Sequence, residues 1–204
     1  MKANAKAFDV VHNILPSGSG WQPNLFCERR VEAMNVEIRL TDRLGEEERR
    51  QLFEWGEDPF TLGALKIRWR PKELHFVVES AGRPVSHVGV LRHTLAVGER
   101  RVTVGGVGGV ITRPEVQGSG LASLALERAS AFMRDELDVE FGFLFCRDPL
   151  VAFYERHGWH LVGEPVTVSQ GEDPPLVMPL NSMVLPFSRR RWPPGAVNLD
   201  SLPW

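Results

Sequence analysis

Val104 to Leu126 reads VGGVGGVITRPEVQGSGLASLAL, and the rest of the chain is interpreted outward from it. An apolar, glycine-rich strand runs to Thr112, breaks at Arg113-Pro114 and restarts as a helix. Between them, Gln117-Gly118-Ser119-Gly120-Leu121-Ala122 sets glycines where the helix begins. Glycine there lets backbone N–H groups approach an anion closely, and the helix dipole favours negative charge, so the junction predicts a pyrophosphate cradle. No Gly-Lys-Ser/Thr closes the run, which sets aside the nucleotide P-loop, and the glycine spacing fits a dinucleotide fingerprint poorly.

Three antiparallel strands are expected ahead of the cradle: Leu74 to Glu79, a turn at Ala81-Gly82-Arg83, Pro84 to Val97, a turn at Gly98-Glu99, then Arg101 to Thr112. The glycines at 105, 106, 108 and 109 weaken a strand but mark a bulge or the close approach of a ligand. Further upstream, Asn35 to Leu40 alternates as a half-buried strand, and Thr41-Asp42 offers a cap for a helix over Glu46 to Trp55. Gly56 to Pro71 predicts a short helix plus loop. Residues 1–33 show no sustained period and are expected to form a loosely ordered extension to one domain over 34–204.

Beyond the cradle, Leu121, Leu124, Ala125, Ala129, Phe132 and Met133 recur at helical spacing and predict the face that packs on the sheet. Phe141 to Cys146 is a continuous apolar run, as expected of a strand buried on both faces and parallel to the cradle strand in a right-handed βαβ unit. Asp148-Pro149 opens a helix that Gly158 ends. Trp159 to Val162, Val166 to Ser169 and Leu176 to Leu185 supply the closing strands, with a turn over Gln170 to Pro175. The tail carries Trp192 and Trp204 among several aliphatics and is expected to pack. The fold class is therefore α/β, a mixed, largely antiparallel sheet with one parallel βαβ unit and helices on both faces.

Composition narrows the function. Apolar residues at 43% and charged residues at 25% lie in the globular range, and no apolar run has membrane-spanning length. With 24 Lys+Arg against 26 Asp+Glu, the net charge of −2 gives no electrostatic basis for a nucleic-acid partner. Arg189-Arg190-Arg191 is an isolated basic triplet of the kind that forms a solvated face. Cys27 and Cys146 are far apart and suit reduced thiols in a cytoplasmic protein, and no metal-ligand cluster accompanies them. The first twenty residues lack the apolar segment and cleavage site of a secretory signal.

Gln117-x-x-Gly120-x-Ala122 resembles the Q/R-x-x-G-x-G/A signature of the GCN5-related N-acetyltransferase (GNAT) superfamily. Phe153-Tyr154-Glu155-Arg156-His157-Gly158-Trp159 looks like that family's second signature, an aromatic pair followed by Gly-Phe/Trp. The resemblance implies that Gln117, Gly118, Ser119, Gly120, Leu121 and Ala122 hold the pyrophosphate of acetyl-CoA, and that Val110 and Thr112 pair with its pantetheine arm. It implies Tyr154, the only tyrosine of the chain, as the general acid for the departing thiolate.

Two branches of the superfamily are similar to this chain. Arg70 to about Val162 resembles the aminoglycoside 2′-N-acetyltransferases, although Gly108 stands where those enzymes carry an acid. Arg70-Pro71 through Phe76, Ser86 to Arg92, Val107 to Val116 and Trp192-Pro193-Pro194-Gly195 look like the nodulation N-acyltransferases, which move a fatty acyl chain onto a chitin-oligosaccharide amine. Both imply an amino-sugar-like acceptor, with Trp204 and His93 as candidate substrate-binding residues. His87 and His93 are candidates by residue type for the general base, which stays unassigned. A homodimer is compatible with this reading, and a non-catalytic acyl-CoA-binding module is the alternative to an enzyme.

Overall fold

The computed structural model describes residues 35–56, 59–60 and 62–204. The expected extension over 1–33, with Cys27, lies outside them. The described residues form one sheet, flanked by β1 (Val36–Thr41), α1 (Glu46–Phe53), β2 (Leu74–Ser80), β3 (Arg83–Val97) and β4 (Arg100–Thr112) on the first half of the chain. The second half supplies α2 (Leu121–Asp135), β5 (Phe141–Cys146), α3 (Val151–Glu155), β6 (His160–Leu161), β7 (Val166–Gln170), β8 (Asp173–Val177), β9 (Asn181–Pro186) and β10 (Val197–Asn198). Strand order is β6-β9-β5-β4-β3-β10-β7-β8, and β1-β2 joins along the first half of β3. Only β4–β5 and β7–β10 are parallel.

The β2–β3 hairpin turns at Ala81 and Gly82, both at positive φ (50° and 72°), as a two-residue turn matched to strand twist requires. This turn fixes the register His75↔Gly89↔Gly108 across β2, β3 and β4. Because side chains alternate along a strand, Phe76, Val78, Val88 and Val90 face α2, while His75, Val77, His87, Gly89 and Leu91 face the other way. α2 buries Leu121, Ala125, Leu126, Ala129 and Met133 on the first face. Leu124 and Phe132, expected there, are only half-buried, because the stripe runs through Leu126.

Several boundaries differ from expectation for identifiable reasons. α1 begins after Gly45, whose N–H donates to the Glu48 carboxylate at 2.7 Å, because the Thr41 hydroxyl is spent on the backbone of Arg43. Instead of one strand over Leu176 to Leu185, there are two. Pro179 has no N–H to continue a ladder, and the chain crosses from β8 at the sheet edge to β9 beside β5. Pro174 and Pro175, expected in a turn, stand in the edge strand β8, where missing donors are tolerated. The tail packs as expected: β10 is wedged between β3 and β7, and Leu199 and Trp204 are buried.

The glycine-rich strand is bulged. Its register against β3 shifts between His87 and Gly89, and Gly109 sits at φ +62°, where a side chain would cost roughly 1–2 kcal/mol. The bulge turns the Gly109 carbonyl onto His87, whose Nδ1–H donates to it at 2.7 Å. That proton leaves His87 Nε2 to accept from His75 Nδ1–H at 2.9 Å. His87 is 1% exposed, and burial pulls its pKa from the ordinary 6.5 to about 3. Unfolded His87 takes up a proton near 6.5 while folded His87 does not, so stability present at neutral pH declines as pH falls through this window. His75 is shifted in the same direction, chiefly by burial. We expect the thermal midpoint to fall between about pH 7 and pH 4, and His87→Gln to flatten that fall; parallel pH profiles for the two proteins in calorimetry would show that His87 is not its source.

Candidate active site

Parallel pairing of β4 with β5 covers only Val104↔Phe141 to Val107↔Leu144, and then the strands part. From Gly108 to Thr112, β4 remains bonded to β3 but its other edge has no strand beside it, while β5 continues to Cys146 against β9. Unpaired backbone donors and acceptors inside a fold require partners, so this cleft is built for an extended ligand that completes the ladder. Val110 and Thr112 both lie on the open length. The Thr112 carbonyl is occupied by Gln117 Nε2 at 2.9 Å, and its hydroxyl lies 2.7 Å from Ser86 Oγ.

The cradle follows directly. A single turn over Pro114–Val116 leads into Gln117, and Gly118 and Gly120 both take positive φ (75° and 92°) to bring the chain into α2. Ser119 is buried and donates its hydroxyl to Val116 O at 2.5 Å, which locks the loop rather than leaving the side chain free. Gly120 is the N-cap, no side chain caps the helix, and its first turn contains no acid. The first bond back along the helix is Leu124 N–H to Gly120 O at 3.0 Å, so the amides of Leu121 and Ala122 are available to an anion. Space above Gly118 is open for 4 Å, so its requirement is the backbone angle rather than crowding.

Tyr154 is held at the far side of the cleft, 4% exposed, edge-on to Phe153 and Trp159 at ring distances of 5.1 and 6.1 Å. Its hydroxyl has no hydrogen-bond partner among the described residues. Burial, with a smaller contribution from Cys146, raises its pKa well above the usual phenol range, so it carries its proton at neutral pH. Cys146 donates to Met183 Sδ at 3.6 Å, and burial pushes the thiol up to about 11, which keeps it protonated and unreactive.

Tyr154 and α2 cover one face of the cleft; the opposite face carries Gly106, Gly108, Gly89, His93 and the tail. Trp204 is 2% exposed, donates its indole N–H to Phe143 O at 3.3 Å and lies over Gly106, where a Cβ would meet the indole at 2.3 Å. Its main chain passes over Gly108, at 2.8 Å from the place of a Cβ. His93 is committed: Nε2–H donates to Leu199 O at 2.7 Å, Nδ1 receives Arg70 at 3.3 Å, and the ring stands edge-on to Trp204 at 5.4 Å. The structure thus brings His93 and Trp204 together at the cleft, as parts of the wall that holds the tail down.

Lys72 is the residue at this face that sequence reasoning passed over. Its stem fills the trough left by two facing glycines: a Cβ on Gly89 would meet Lys72 Cγ at 2.3 Å, and one on Gly108 would meet Lys72 Cε at 2.6 Å. Desolvation lowers its pKa from 10.5 to about 8. The paired glycines on adjacent strands were the available signal, but nothing in the sequence says which side chain fills the gap. The His75–His87 contact was legible in principle, since the turn at Ala81-Gly82 places them diagonally on one face.

Two cavities, of about 500 and 400 Å³, open away from this cleft near the start of β5, one beside Arg100, Glu140 and Arg190, the other beside Leu161, Val184 and Trp192. No helix of the described residues is long and apolar enough to cross a membrane.

The fold is that of the GNAT superfamily. A GNAT family N-acetyltransferase from Escherichia coli, solved in complex with CoA, superposes with a TM-score of 0.57 at 16% identity, over 81% of this chain and 90% of that one. An acyl-CoA N-acyltransferase from Pseudomonas aeruginosa gives 0.49 at 20% identity, over 74% and 99% of the two chains. No curated protein matches the sequence. Residues 54–198 match the family described as nodulation protein A (NodA), which spans most of the chain and includes β2 to β10, the cleft and the cradle. With that family match on a GNAT fold, the chain is an N-acyltransferase of the GNAT superfamily and belongs to the nodulation protein A (NodA) family.

Proposed function

We propose that this chain transfers an acetyl group from acetyl-CoA to the primary amine of a small, amino-sugar-like acceptor by direct attack. The observation that carries the proposal is the unpaired edge of β4 from Gly108 to Thr112, ending at an uncapped helix N-terminus. An acyl pantetheine arm lying in the cleft pairs with the strand, its pyrophosphate meets the amides of Gln117 to Ala122, and its thioester lies between Tyr154 and the glycine-lined face. The acceptor nitrogen bonds to the thioester carbon, the C–S bond breaks, and the Tyr154 hydroxyl supplies a proton to the thiolate. Cys146, kept as a buried thiol, has no part in the transfer. A second reading, transfer of a longer acyl chain, is favoured by membership of the NodA family together with the resemblance to enzymes that acylate chitin oligosaccharides. CoA release from acetyl-CoA and from a long-chain acyl-CoA, each with glucosamine and a chito-oligosaccharide amine, separates the two; tight CoA binding with no release from any pair would favour a non-catalytic module.

Gly120→Val is expected to abolish CoA binding in calorimetry, because φ +92° is closed to a β-branched residue and the amides behind it lose their placement. Unchanged affinity in a folded variant would remove the cradle from the account. Tyr154→Phe is expected to keep CoA affinity and thermal stability, since the hydroxyl has no internal partner, yet to slow turnover about 10²–10⁴-fold. Equal single-turnover rates would reduce Tyr154 to a packing residue.

A further inference from the structure

Resting on the acyl-transfer reading, we infer that Lys72 is a catalytic residue, the base that accepts the acceptor amine's proton at the mouth of the cleft. The face covered by α2 and α3 is closed, so an amine reaches the thioester from the side where Gly108 and the Lys72 stem lie. Gly89 and Gly108 stand opposite one another in register and both are open above the sheet only because Lys72 occupies the space. Its Nζ reaches one acceptor, Arg70 O at 3.3 Å, and among the described residues no carboxylate stands within salt-bridge distance. A half-buried lysine without a counter-ion is held at a cost in desolvation, which the ordinary surface role of lysine does not explain.

Charged and titratable groups around it do not supply an alternative base. On its own segment, Glu73 is bound to Arg70 at 2.5 Å. On β3, His93 has both ring nitrogens engaged, and His87 donates through Nδ1 and accepts through Nε2. His75 on β2 keeps a free Nε2, but it lies two strands from Gly108 and feels Glu48 and Arg49 of α1 rather than the cleft. Lys72 in turn depresses both His75 and His87 by its charge. Desolvation brings Lys72 to about 8, so a useful fraction is neutral near neutral pH, where a base of matched pKa is most effective.

Protons and bonds balance. As the C–N bond forms, the acceptor nitrogen gives its proton to neutral Lys72; as the C–S bond breaks, Tyr154 gives its proton to sulfur. Return of the Lys72 proton to the Tyr154 phenolate through solvent restores both, and the net change is one N–H lost and one S–H formed.

The test uses the full chain with Lys72→Arg and Lys72→Gln, following CoA release from acetyl-CoA with glucosamine, CoA affinity by calorimetry, and lysine titration by NMR after ¹³C reductive methylation. With only four lysines in the chain, Lys72 is assignable by its absence from the variants. We expect both variants to bind CoA as the parent does and to lose about 10²–10⁴-fold in turnover, and parental activity to rise with pH through about 8. Arginine keeps the charge but takes up no proton, so near-parental turnover of Lys72→Arg overturns the assignment. So does a Lys72 resonance titrating in the ordinary lysine range, whichever amine is the acceptor. Failure of the parent itself to bind CoA would instead overturn the acyl-transfer reading.

Discussion

The structure depends on the point where β4 and β5 stop pairing. Up to Val107 and Leu144 the two strands share a parallel ladder at the centre of the sheet; beyond it, five residues of β4 keep one bonded edge and expose the other. A backbone edge in the middle of a folded domain is a standing demand for hydrogen-bond partners. It is tolerated here because the bulge at Gly109 re-aims the strand and His87 takes the displaced carbonyl. The same strand then runs without interruption into the glycine junction and α2, so cleft and anion site are parts of one continuous segment.

The second constraint is the absence of side chains on one face. Gly89, Gly106 and Gly108 leave a shallow trough that the chain fills from both ends: Lys72 from the segment before β2, and Trp204 from the tail. The two fillers are tied together, since Arg70 N–H donates to Pro203 O at 2.6 Å and His93 spans Arg70 and Leu199. The tail is in turn fixed by β10 between β3 and β7 and by Trp192 stacked on Phe143 at 5.6 Å. The wall facing the cleft is thus assembled from segments more than a hundred residues apart, and each filler occupies space that a Cβ on the strand would take.

Local signals were legible in the sequence where local physics decides. The hairpin turn at Ala81-Gly82, the strand over Phe141 to Cys146, the break at Arg113-Pro114 and the glycines of the cradle all followed from period and turn chemistry, and the tail's tryptophans foretold packing. What sequence did not give is set by long-range contact. Pro179 separates two strands that lie far apart in the sheet, which no local pattern reveals. His93 looked like a free imidazole among polar neighbours, whereas the tail and Arg70 use both its nitrogens. Lys72 was one lysine in an irregular stretch until the register of β3 on β4 placed two glycines beneath it.

The central claim is that an acyl-CoA completes the open edge of β4 and ends on the α2 N-terminus. Amide hydrogen exchange with and without CoA measures this directly. Protection appearing together at Gly108 to Thr112 and at Gln117 to Ala122, with no change in β7 or β8, is the result expected. Protection confined to the cavity around Arg100, Glu140 and Arg190, with the β4 edge exchanging as before, would contradict it.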